Sequence, residues 1–397
     1  MIKVDYLIIG SGIVGLTIAR ELRHRYPSAT ILICDKESGP AFHASGRNSG
    51  VLHAGFYYTA DSLKAKFTLL GNQLMTEYCL ERGLPINKIG KLVVAKNEKE
   101  LPQLNELVTR ARVNGVPIEV IDEQSAKEIE PRVKTFKQAL WSPRTASVDP
   151  IVIAQTLVNE LSAAKVQFLF ENAYIGRKNG RVVLQKNEID AGTVINAAGL
   201  YADKIARDFE VGLEYRILPF KGLYIYSNEQ PGAFRTNIYP VPDLRNPFLG
   251  VHFTVTVDGR AKIGPTAIPA LWREQYEGFS RFKLGEAGEI AGRQSKLFFS
   301  AGFDFRSLAF EEIQKYSRAK MVKLASCLAS GVEKGQFTKW GRPGIRAQLL
   351  DVNTGKLEMD FKVLRAKNSL HVVNAVSPAF TCSMAFAKHA CDLLENT

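Results

Sequence analysis

The sequence predicts an α/β protein with two domains, one built on a parallel sheet and the other on an antiparallel sheet. Three observations support this prediction. An apolar segment at residues 6–9 leads through a glycine-rich turn into a helical pattern, a second apolar segment follows at residues 30–34, and residues 213–265 change to alternating short strands. The chain of 397 residues is long enough for both domains and a large core.

The glycine-rich turn reads GSGIVG at residues 10–15. Gly10 allows the tight turn, Gly12 lets a diphosphate approach the backbone, and Gly15 lets the helix pack closely on the strand. The helix begins at Ile13 and Val14, and the N–H groups and dipole of its first turn favour a phosphate charge. The turn therefore predicts a phosphate cradle.

A carboxylate follows the second strand. Asp35 lies 20 residues past Gly15, at the distance where an acid accepts hydrogen bonds from the ribose of a bound adenosine. The turn, the helix and this acid together predict a dinucleotide site rather than an ordinary βα turn. An acid at position 35 disfavours the 2′-phosphate of NADP, and these residues by themselves leave FAD and NAD open.

A loop rich in glycine and serine follows at residues 43–58. Ser45, Arg47 and Ser49 supply hydroxyl groups and a cation, and the glycines let the backbone come close to a ligand. The loop is therefore a second candidate for binding a diphosphate, and a solvated surface loop is the alternative interpretation.

Periodicity predicts the remaining elements. The apolar residues of 248–257 alternate with polar ones, so His252 is expected on a polar face of its strand. Residues 311–328 predict a basic amphipathic helix packed on its own domain, with contact to a membrane surface as the alternative. Helices are predicted at 63–83, 101–115, 150–164, 283–330 and 381–395, and strands at 88–95, 166–170, 181–185, 223–226, 260–264, 346–350, 360–365 and 370–374.

Charge and cysteine content restrict the class of protein. A net charge of +12 suits an anionic substrate, an anionic membrane surface or a nucleic acid. No nucleic-acid-binding motif is present, so we expect no nucleic acid as a partner. The five cysteines lack CxxC spacing and predict reduced thiols, with no metal site. The first strand begins near Met1, which leaves no room for a targeting segment and predicts a cytoplasmic protein.

Longer motifs add a family resemblance. The N-terminal turn, INAAGLYAD at residues 195–203 and PGIR at residues 343–346 resemble the motifs of the D-amino-acid-oxidase-like (glycine-oxidase-like) FAD-dependent oxidoreductases. Within them, the chain is similar to the L-2-hydroxyglutarate oxidases and dehydrogenases. The matching segments are 45–55 (SGRNSGVLHAG) with Tyr57 and Tyr58, 218–222 (LPFKG), 239–243 (YPVPD), 248–254 (FLGVHFT), 344–348 (GIRAQ), 368–372 (NSLHV) and 374–379 (NAVSPA).

The resemblance implies a Rossmann-like FAD-binding domain and a discontinuous substrate domain with an antiparallel sheet. It assigns residues 1–84, 144–210 and 335–397 to the FAD-binding domain, and residues 85–143 and 211–334 to the substrate-binding domain. The cofactor is expected to be non-covalent FAD. The residues expected to bind it are Gly10, Gly12, Ile13, Val14, Gly15, Asp35, Lys36, Ser45, Arg47, Asn48, Ser49, Ala173, Ala198, Gly199, Gly344, Ser377, Pro378 and Ala379.

Oxidation of a 2-hydroxy acid sets the catalytic requirements. The substrate carboxylate needs a cation, for which the resemblance nominates Arg346, and the hydroxyl proton needs a base of near-neutral pKa. His53 and His252 compete for the role of base; we favour His53, with His252 binding or orienting the substrate. Candidates for a second carboxylate are Tyr58, Lys221, Tyr239 and Thr381.

The sequence thus predicts oxidation of L-2-hydroxyglutarate to 2-oxoglutarate by hydride transfer to flavin N5, with oxygen or a quinone as electron acceptor. Two alternatives stay open: an enzyme for another small 2-hydroxy or 2-amino acid, and a flavin-binding protein without turnover. Several positions depart from the family pattern. Lys221 stands where arginine is expected, Arg342-Pro343 where small residues are usual, and Val376, Phe380 and Cys382 where proline, alanine and a small residue are expected.

Overall fold

The computed structural model describes residues 2–243, 248–300 and 305–395. The chain divides into two compact units. The first unit comprises Met1–Asn48, Pro150–Pro219 and Arg346–Thr397, and the second comprises Ser49–Asp149 and Phe220–Ile345. The chain therefore leaves the first unit and returns to it twice, so that neither unit is one continuous stretch of sequence.

Helices occur in both units. In the described part of the chain they are α1 Ile13–Arg25, α2 Leu63–Glu81, α3 Leu101–Val113, α4 Glu123–Ile129, α5 Pro150–Ala163, α6 Ala202–Asp208, α7 Leu284–Ser300, α8 Phe305–Ile313, α9 Arg318–Ala325 and α10 Ala379–Glu395. None of these helices is long and apolar enough to cross a membrane.

The strands of the described residues are numbered along the chain. They are β1 Ile2–Ile9, β2 Ile31–Cys34, β3 Val51–Leu52, β4 Ile86–Asn87, β5 Lys91–Val94, β6 Glu119–Asp122, β7 Gln138–Ser142, β8 Ala146–Val148, β9 Gln167–Leu169, β10 Tyr174–Lys178, β11 Arg181–Leu184, β12 Glu188–Asn196, β13 Tyr215–Gly222, β14 Ile225–Ser227, β15 Asn237–Pro240, β16 His252–Val255, β17 Ala261–Gly264, β18 Ile268–Pro269, β19 Phe337–Trp340, β20 Gly344–Asp351, β21 Lys356–Leu357, β22 Lys362–Ala366 and β23 Ser369–Asn374.

The first unit is built on a parallel sheet. Its parallel strands run in the order β23-β12-β1-β2-β9, and β10, β11 and β22 extend it in antiparallel fashion. The central strand β1 is mostly apolar where it pairs with a strand on each side, β12 and β2, as expected for a strand covered on both faces. The helices α1 and α10 pack together, and the hydroxyl of Thr17 donates to the carbonyl of Ser383 at 3.1 Å. The predicted Rossmann-like architecture is confirmed.

The second unit is built on a mainly antiparallel sheet. In the described residues its strands run in the order β19-β14-β17-β16-β15-β5-β7-β6, with one parallel pair between β15 and β5. A small sheet, β3-β8-β4, lies in the same unit. The side-chain hydroxyl of Ser147 in β8 donates to the carbonyl of Val255 in β16 at 2.6 Å, which ties the two sheets together.

Strand register gives the large sheet one apolar and one polar face. Lys91 pairs with Asn237, and Thr254 pairs with Lys262, and paired residues point to the same side of a sheet. The apolar face belongs to a buried core and carries Leu92, Val94, Ile238, Phe253, Val255, Ala261 and Ile263. The opposite face, called the polar face here, carries Lys91, Asn237, Tyr239, His252, Thr254 and Lys262, and beside them Val93 and Leu140 of a second apolar cluster.

The two units differ in extent from the predicted domains. Residues 49–84 and 144–149 pack in the second unit, because β3 pairs with β8 and the amide of Asn72 donates to the carbonyls of Leu52 and Arg144. Residues 211–219 lie in the first unit, and residues 335–345 lie in the second. Compactness alone does not assign a ligand, so the functional division into domains stays a prediction.

Two elements were predicted with wrong bounds. The single helix expected at 311–328 is broken: α8 ends at Ile313, and the hydroxyl of Ser317 caps a new helix by accepting from the N–H of Lys320. The helical stretch at 283–330 is therefore α7, α8 and α9, with residues 301–304 outside the described part. The strand expected at 248–257 covers only β16, but its predicted hairpin with β17 is confirmed.

We predict that Gly15→Ala destabilises the first unit. A Cβ at Gly15 would lie 2.0 Å from the carbonyl oxygen of Gly10, so the turn must open and the protein should lose about 3 kcal/mol of unfolding free energy. Thermal denaturation checks this result. The matched control is Gly292→Ala in the exposed middle of α7, where a Cβ meets nothing within 4 Å and helix propensity should add about 1 kcal/mol. Equal effects of the two substitutions would contradict the prediction.

Candidate functional site

The N-terminal turn has no room for side chains at its first and last glycine. Gly10 has a φ of +111°, and a Cβ there would lie 2.5 Å from the carbonyl oxygen of Ala197. The first helix starts at Ile13, whose N–H donates to the hydroxyl of Ser45 at 2.9 Å. The turn is therefore pressed against the end of β12, and it presents the start of a 13-residue helix to a ligand.

Asp35 is held directly behind this turn. Its Oδ2 accepts from the N–H and from the hydroxyl of Ser11, both at 2.7 Å, and its Oδ1 accepts from the N–H of Glu37 at 3.0 Å. A carboxylate has about four acceptor positions, so capacity for ribose hydroxyls remains. The contacts fix the carboxylate where the sequence predicted the adenosine ribose to bind.

The second predicted flavin motif lies beside the first. Ala198 and Gly199 follow β12, and the N–H of Ala198 donates to the side chain of Asn196 at 3.2 Å. Lys36 forms an ion pair with Glu37 and stands 5.6 Å from the ring centroid of Tyr201. The remaining predicted residue of this group, Ala173, accepts from the N–H of Gln185 at 2.8 Å.

The loop at residues 43–48 is fixed by its own side chains. The Nε of Arg47 donates to the carbonyl of Phe42 at 2.7 Å, and the amide of Asn48 donates to the carbonyl of Ser45 at 2.7 Å. In the second unit, the hydroxyl of Ser49 accepts from the N–H of Val51 at 3.3 Å. The polar side chains of this loop are therefore partly buried and held by hydrogen bonds to its own backbone.

The C-terminal residues of the predicted site lie on two elements. Gly344 and Arg346 begin the strand β20, at the point where the chain passes from the second unit to the first. Ser377 and Pro378 precede the 17-residue helix α10, which starts at Ala379. Thr381 is buried in the first turn of that helix, where backbone N–H groups and the dipole favour negative charge.

His252 is held in one tautomer. Its Nδ1 lies 2.8 Å from the carbonyl oxygen of Gly250, and a carbonyl can only accept, so Nδ1 carries the proton and Nε2 carries the lone pair. The imidazole stacks on the ring of Tyr239 at a centroid distance of 3.7 Å. Burial, and to a smaller extent Lys91 and Lys262, lowers the pKa of His252 to about 3. The ring is therefore a neutral hydrogen-bond acceptor.

Two buried lysines share the polar face with His252. Burial lowers the pKa of Lys91 to about 7 and that of Lys262 to about 8, the latter partly offset by Asp258. Neither ammonium forms an ion pair with a described residue, and each stands within 5 Å of an aromatic ring centroid. This face therefore carries positive charge that the described acidic residues do not neutralise.

The other predicted residues of the second unit occupy separate positions. His53 is buried directly after β3, and its carbonyl accepts from the amide of Asn72 at 3.2 Å. Lys64 stands 5.8 Å from the ring centroid of Tyr58. Lys221, at the end of β13, has a pKa lowered by burial and raised in part by Glu277. Tyr239 is 1% exposed, and its contact with substrate stays a prediction.

Sequence reasoning missed the two lysines of the polar face. From the sequence alone, Lys91 and Lys262 enter only the predicted net charge. Each of them nevertheless belongs to an apolar strand segment, KLVV for Lys91 and AKIG for Lys262. A lysine between strand residues of this kind is rarely fully buried without a partner. That signal was present in the sequence and could have marked both positions.

Comparisons with known proteins add to this geometry. A family model described as FAD dependent oxidoreductase (DAO) matches residues 5–393. The chain belongs to the FAD-dependent oxidoreductases. The phosphate cradle at residues 10–15 and the fixed carboxylate of Asp35 fit the diphosphate and ribose of FAD, which is the cofactor of this enzyme.

Curated relatives agree with this membership, and a solved structure shares the fold. The chain is 36% identical to the mitochondrial L-2-hydroxyglutarate dehydrogenase of Nematostella vectensis, over 98% of this chain and 90% of that protein. It is 32% identical to the L-2-hydroxyglutarate dehydrogenase of Escherichia coli K12, over 97% and 92%. The fold is similar to L-α-glycerophosphate oxidase from Mycoplasma pneumoniae with FAD bound, with a TM-score of 0.80, 23% identity and coverage of 100% and 95%.

Proposed function

We propose that this enzyme oxidises L-2-hydroxyglutarate to 2-oxoglutarate. Relatives at 32–36% identity over nearly the whole chain carry the name L-2-hydroxyglutarate dehydrogenase. The observation that supports this substrate most directly is the polar face of the second unit, where a neutral imidazole lies beside two buried lysines that form no ion pair with a described residue. Such a face suits an anionic substrate.

The reaction removes a proton from the substrate hydroxyl and a hydride from C2, and bound FAD supplies the acceptor for the hydride. In our proposal Arg346 binds the carboxylate next to C2, because guanidinium can form two parallel hydrogen bonds to it. Lys221 binds the distal carboxylate, and the partly lowered pKa of this lysine reflects its burial. Tyr58 and Thr381 supply hydroxyl groups to the same anion.

We propose His53 as the base that accepts the hydroxyl proton. His252 then orients the substrate as a neutral ring, because its Nδ1–H stays bound to the Gly250 carbonyl and the hydroxyl proton goes to His53. As the C2 hydride departs with its electron pair, the hydroxyl oxygen becomes a carbonyl, and the product leaves as the 2-oxo acid.

Two rival functions remain as alternatives to this proposal. The enzyme could take another small 2-hydroxy or 2-amino acid, since positions near the predicted site depart from the family pattern, among them Lys221 and Val376. It could also bind flavin without turnover. Each alternative predicts a different response of the flavin absorption to the L-2-hydroxyglutarate enantiomers.

Anaerobic titration of the holoenzyme tests the proposal. L-2-hydroxyglutarate should bleach the flavin band at about 450 nm to completion, while the D-isomer leaves it unchanged, because only one enantiomer presents the C2 hydride to the cofactor. Bleaching by an amino acid alone would support the first rival. No bleaching by any hydroxy acid or amino acid would support the second.

Variants of the two histidines separate their roles. In stopped-flow measurements, His53→Gln should slow flavin reduction by about 10²-fold or more, because the base is lost. His252→Gln should mainly raise the substrate concentration needed for half-maximal reduction. If His53→Gln reduces as fast as the wild type, the assignment of the base to His53 fails.

We further propose that the protein is cytoplasmic and contacts the inner face of a membrane, where a quinone takes up the electrons; oxygen is the alternative acceptor. Large apolar side chains of the second unit support this contact. Among them are Phe279, Leu284, Phe299 and Phe310, which are 83%, 79%, 75% and 61% exposed. Phe299 and Phe310 both contact Phe298, and the guanidinium of Arg306 stands 5.8 Å from the Phe299 ring centroid, so a basic group lies beside exposed apolar side chains, as at a membrane surface.

Sedimentation with anionic liposomes tests the membrane contact. The wild type should bind at low salt and lose most of its binding at high salt, because the basic groups are screened. A double variant, Phe299→Ser with Phe310→Ser, should bind about tenfold more weakly. The control is Ile175→Ser, which removes one exposed apolar side chain from the first unit and should not change binding. Equal binding by all three proteins would contradict this proposal.

A further inference from the structure

Lys91 is enclosed in a cage of aromatic rings. Its side chain is fully buried, and its ammonium stands 4.6 Å, 4.5 Å and 4.8 Å from the ring centroids of Phe56, Tyr57 and Tyr239. No described residue forms a hydrogen bond with its Nζ. Cation–π contacts thus replace both the ion pair and the hydrogen bonds that a buried lysine usually has.

Stability alone gives no reason for a lysine at this position. A buried charge without a paired carboxylate is costly, and an uncharged side chain of similar length would fill the same cage without that cost. The charge therefore calls for another explanation, and its surroundings on the polar face supply one.

The ring of Tyr239 contacts both the Lys91 ammonium and the His252 imidazole. The ammonium lies 4.8 Å from the centroid of this ring, and the imidazole stacks on it at a centroid distance of 3.7 Å, with 23° between the ring planes. The register explains this arrangement, since Lys91 pairs with Asn237 in β15, and Tyr239 follows two residues later on the same face. A change at Lys91 is therefore transmitted to His252 through one shared ring.

We propose that Lys91 is a positioning residue that acts through Tyr239 and keeps the imidazole of His252 neutral, with Nε2 unprotonated, beside the substrate. This inference rests on the proposed oxidation of a hydroxy acid. A proton on Nε2 would turn the imidazole into a cation close to the Lys91 ammonium, which contacts the same tyrosine ring, and that repulsion opposes protonation.

The two charged groups that act on His252 both lower the pKa of its imidazole, and the nearby phenols stay neutral. Lys91 on β5 and Lys262 on β17 both lower the pKa of the imidazole, and burial contributes more than either. The phenols of Tyr57 and Tyr239 are buried with raised pKa values and stay neutral. The pKa of Lys91 is about 7, so its charge is present in the acidic range where an ordinary imidazole takes up a proton.

Removal of the charge should move the titration of His252. In Lys91→Met, the pKa of His252 should rise by about half a pH unit or more, since one of its two cationic neighbours is gone. Lys91→Arg keeps the charge and should restore the wild-type titration of His252.

Histidine NMR of the oxidised holoenzyme reads the effect without substrate. The chain has 6 histidines, and the His252 signal is assigned by its loss in His252→Gln. The wild type and Lys91→Arg should show the tautomer with the proton on Nδ1 and a pKa near 3, and Lys91→Met should show the same tautomer with a pKa about half a unit higher. The matched control, Lys137→Met, removes an exposed lysine 5.2 Å from the Phe136 ring centroid in the same unit and should leave His252 unchanged.

Three outcomes would overturn the inference. The first is an unchanged His252 titration in a folded Lys91→Met, and the second is a loss of thermal stability in that variant without any change at His252. The third is a wild-type His252 that titrates near pH 6.5. This third outcome decides against the inference even if Lys91→Met does not fold. The NMR result is independent of turnover. Failure of L-2-hydroxyglutarate to reduce the flavin would therefore refute the proposed function and leave the Lys91–His252 coupling to be judged by its own measurement.

Discussion

The close approach of two backbone segments is the constraint on which the first unit depends. The turn at residues 10–15 touches the chain at Ala197, so closely that no side chain fits at Gly10 or Gly15. This contact aligns the start of α1 with the end of β12 and brings the carboxylate of Asp35 behind the same turn. Backbone N–H groups therefore form the cofactor cradle, and the close approach of the two segments is possible because Gly10 and Gly15 carry no side chain.

In the second unit, the two faces of the large sheet make opposite contributions to stability. One face of its large sheet buries an apolar core, and the other buries polar and cationic groups with few partners. The burial of Lys91 and Lys262 costs free energy that cation–π contacts return only in part, since each such contact contributes about 0.5–2 kcal/mol. The apolar face carries the stability of the sheet, which lets the polar face keep charges that suit an anionic substrate.

Local sequence patterns predicted the first unit well. The strand–turn–helix unit, the acid at Asp35 and the final helix depend on residues close together in the chain, where periodicity and turn chemistry decide the structure. The break at Ser317 was missed, because the apolar spacing of residues 311–328 continues across it and only the cap formed by the serine hydroxyl reveals it. Residues 49–84 pack in the second unit partly through the pairing of β3 with β8, which joins segments about a hundred residues apart and which no local pattern encodes.

The polar face could be predicted only in part. Alternation within one strand placed His252 and Thr254 on the same side, and the register confirms this. The neighbours of His252 could not be found in this way. Lys91 and Tyr239 come from strands separated by more than a hundred residues and joined in parallel, and no local pattern encodes such a pairing. The tautomer of His252 likewise depends on the turn at Gly250 and becomes visible only in three dimensions.

The central claim is that the N-terminal turn holds an adenine dinucleotide with a flavin. Its most direct test is the identity of the cofactor released by denaturing the purified protein, measured by absorption and chromatography against FAD and FMN standards. The account predicts a yellow protein that releases FAD, in a ratio near one per chain after reconstitution. A colourless protein that takes up no FAD, or one that releases only FMN, would contradict it.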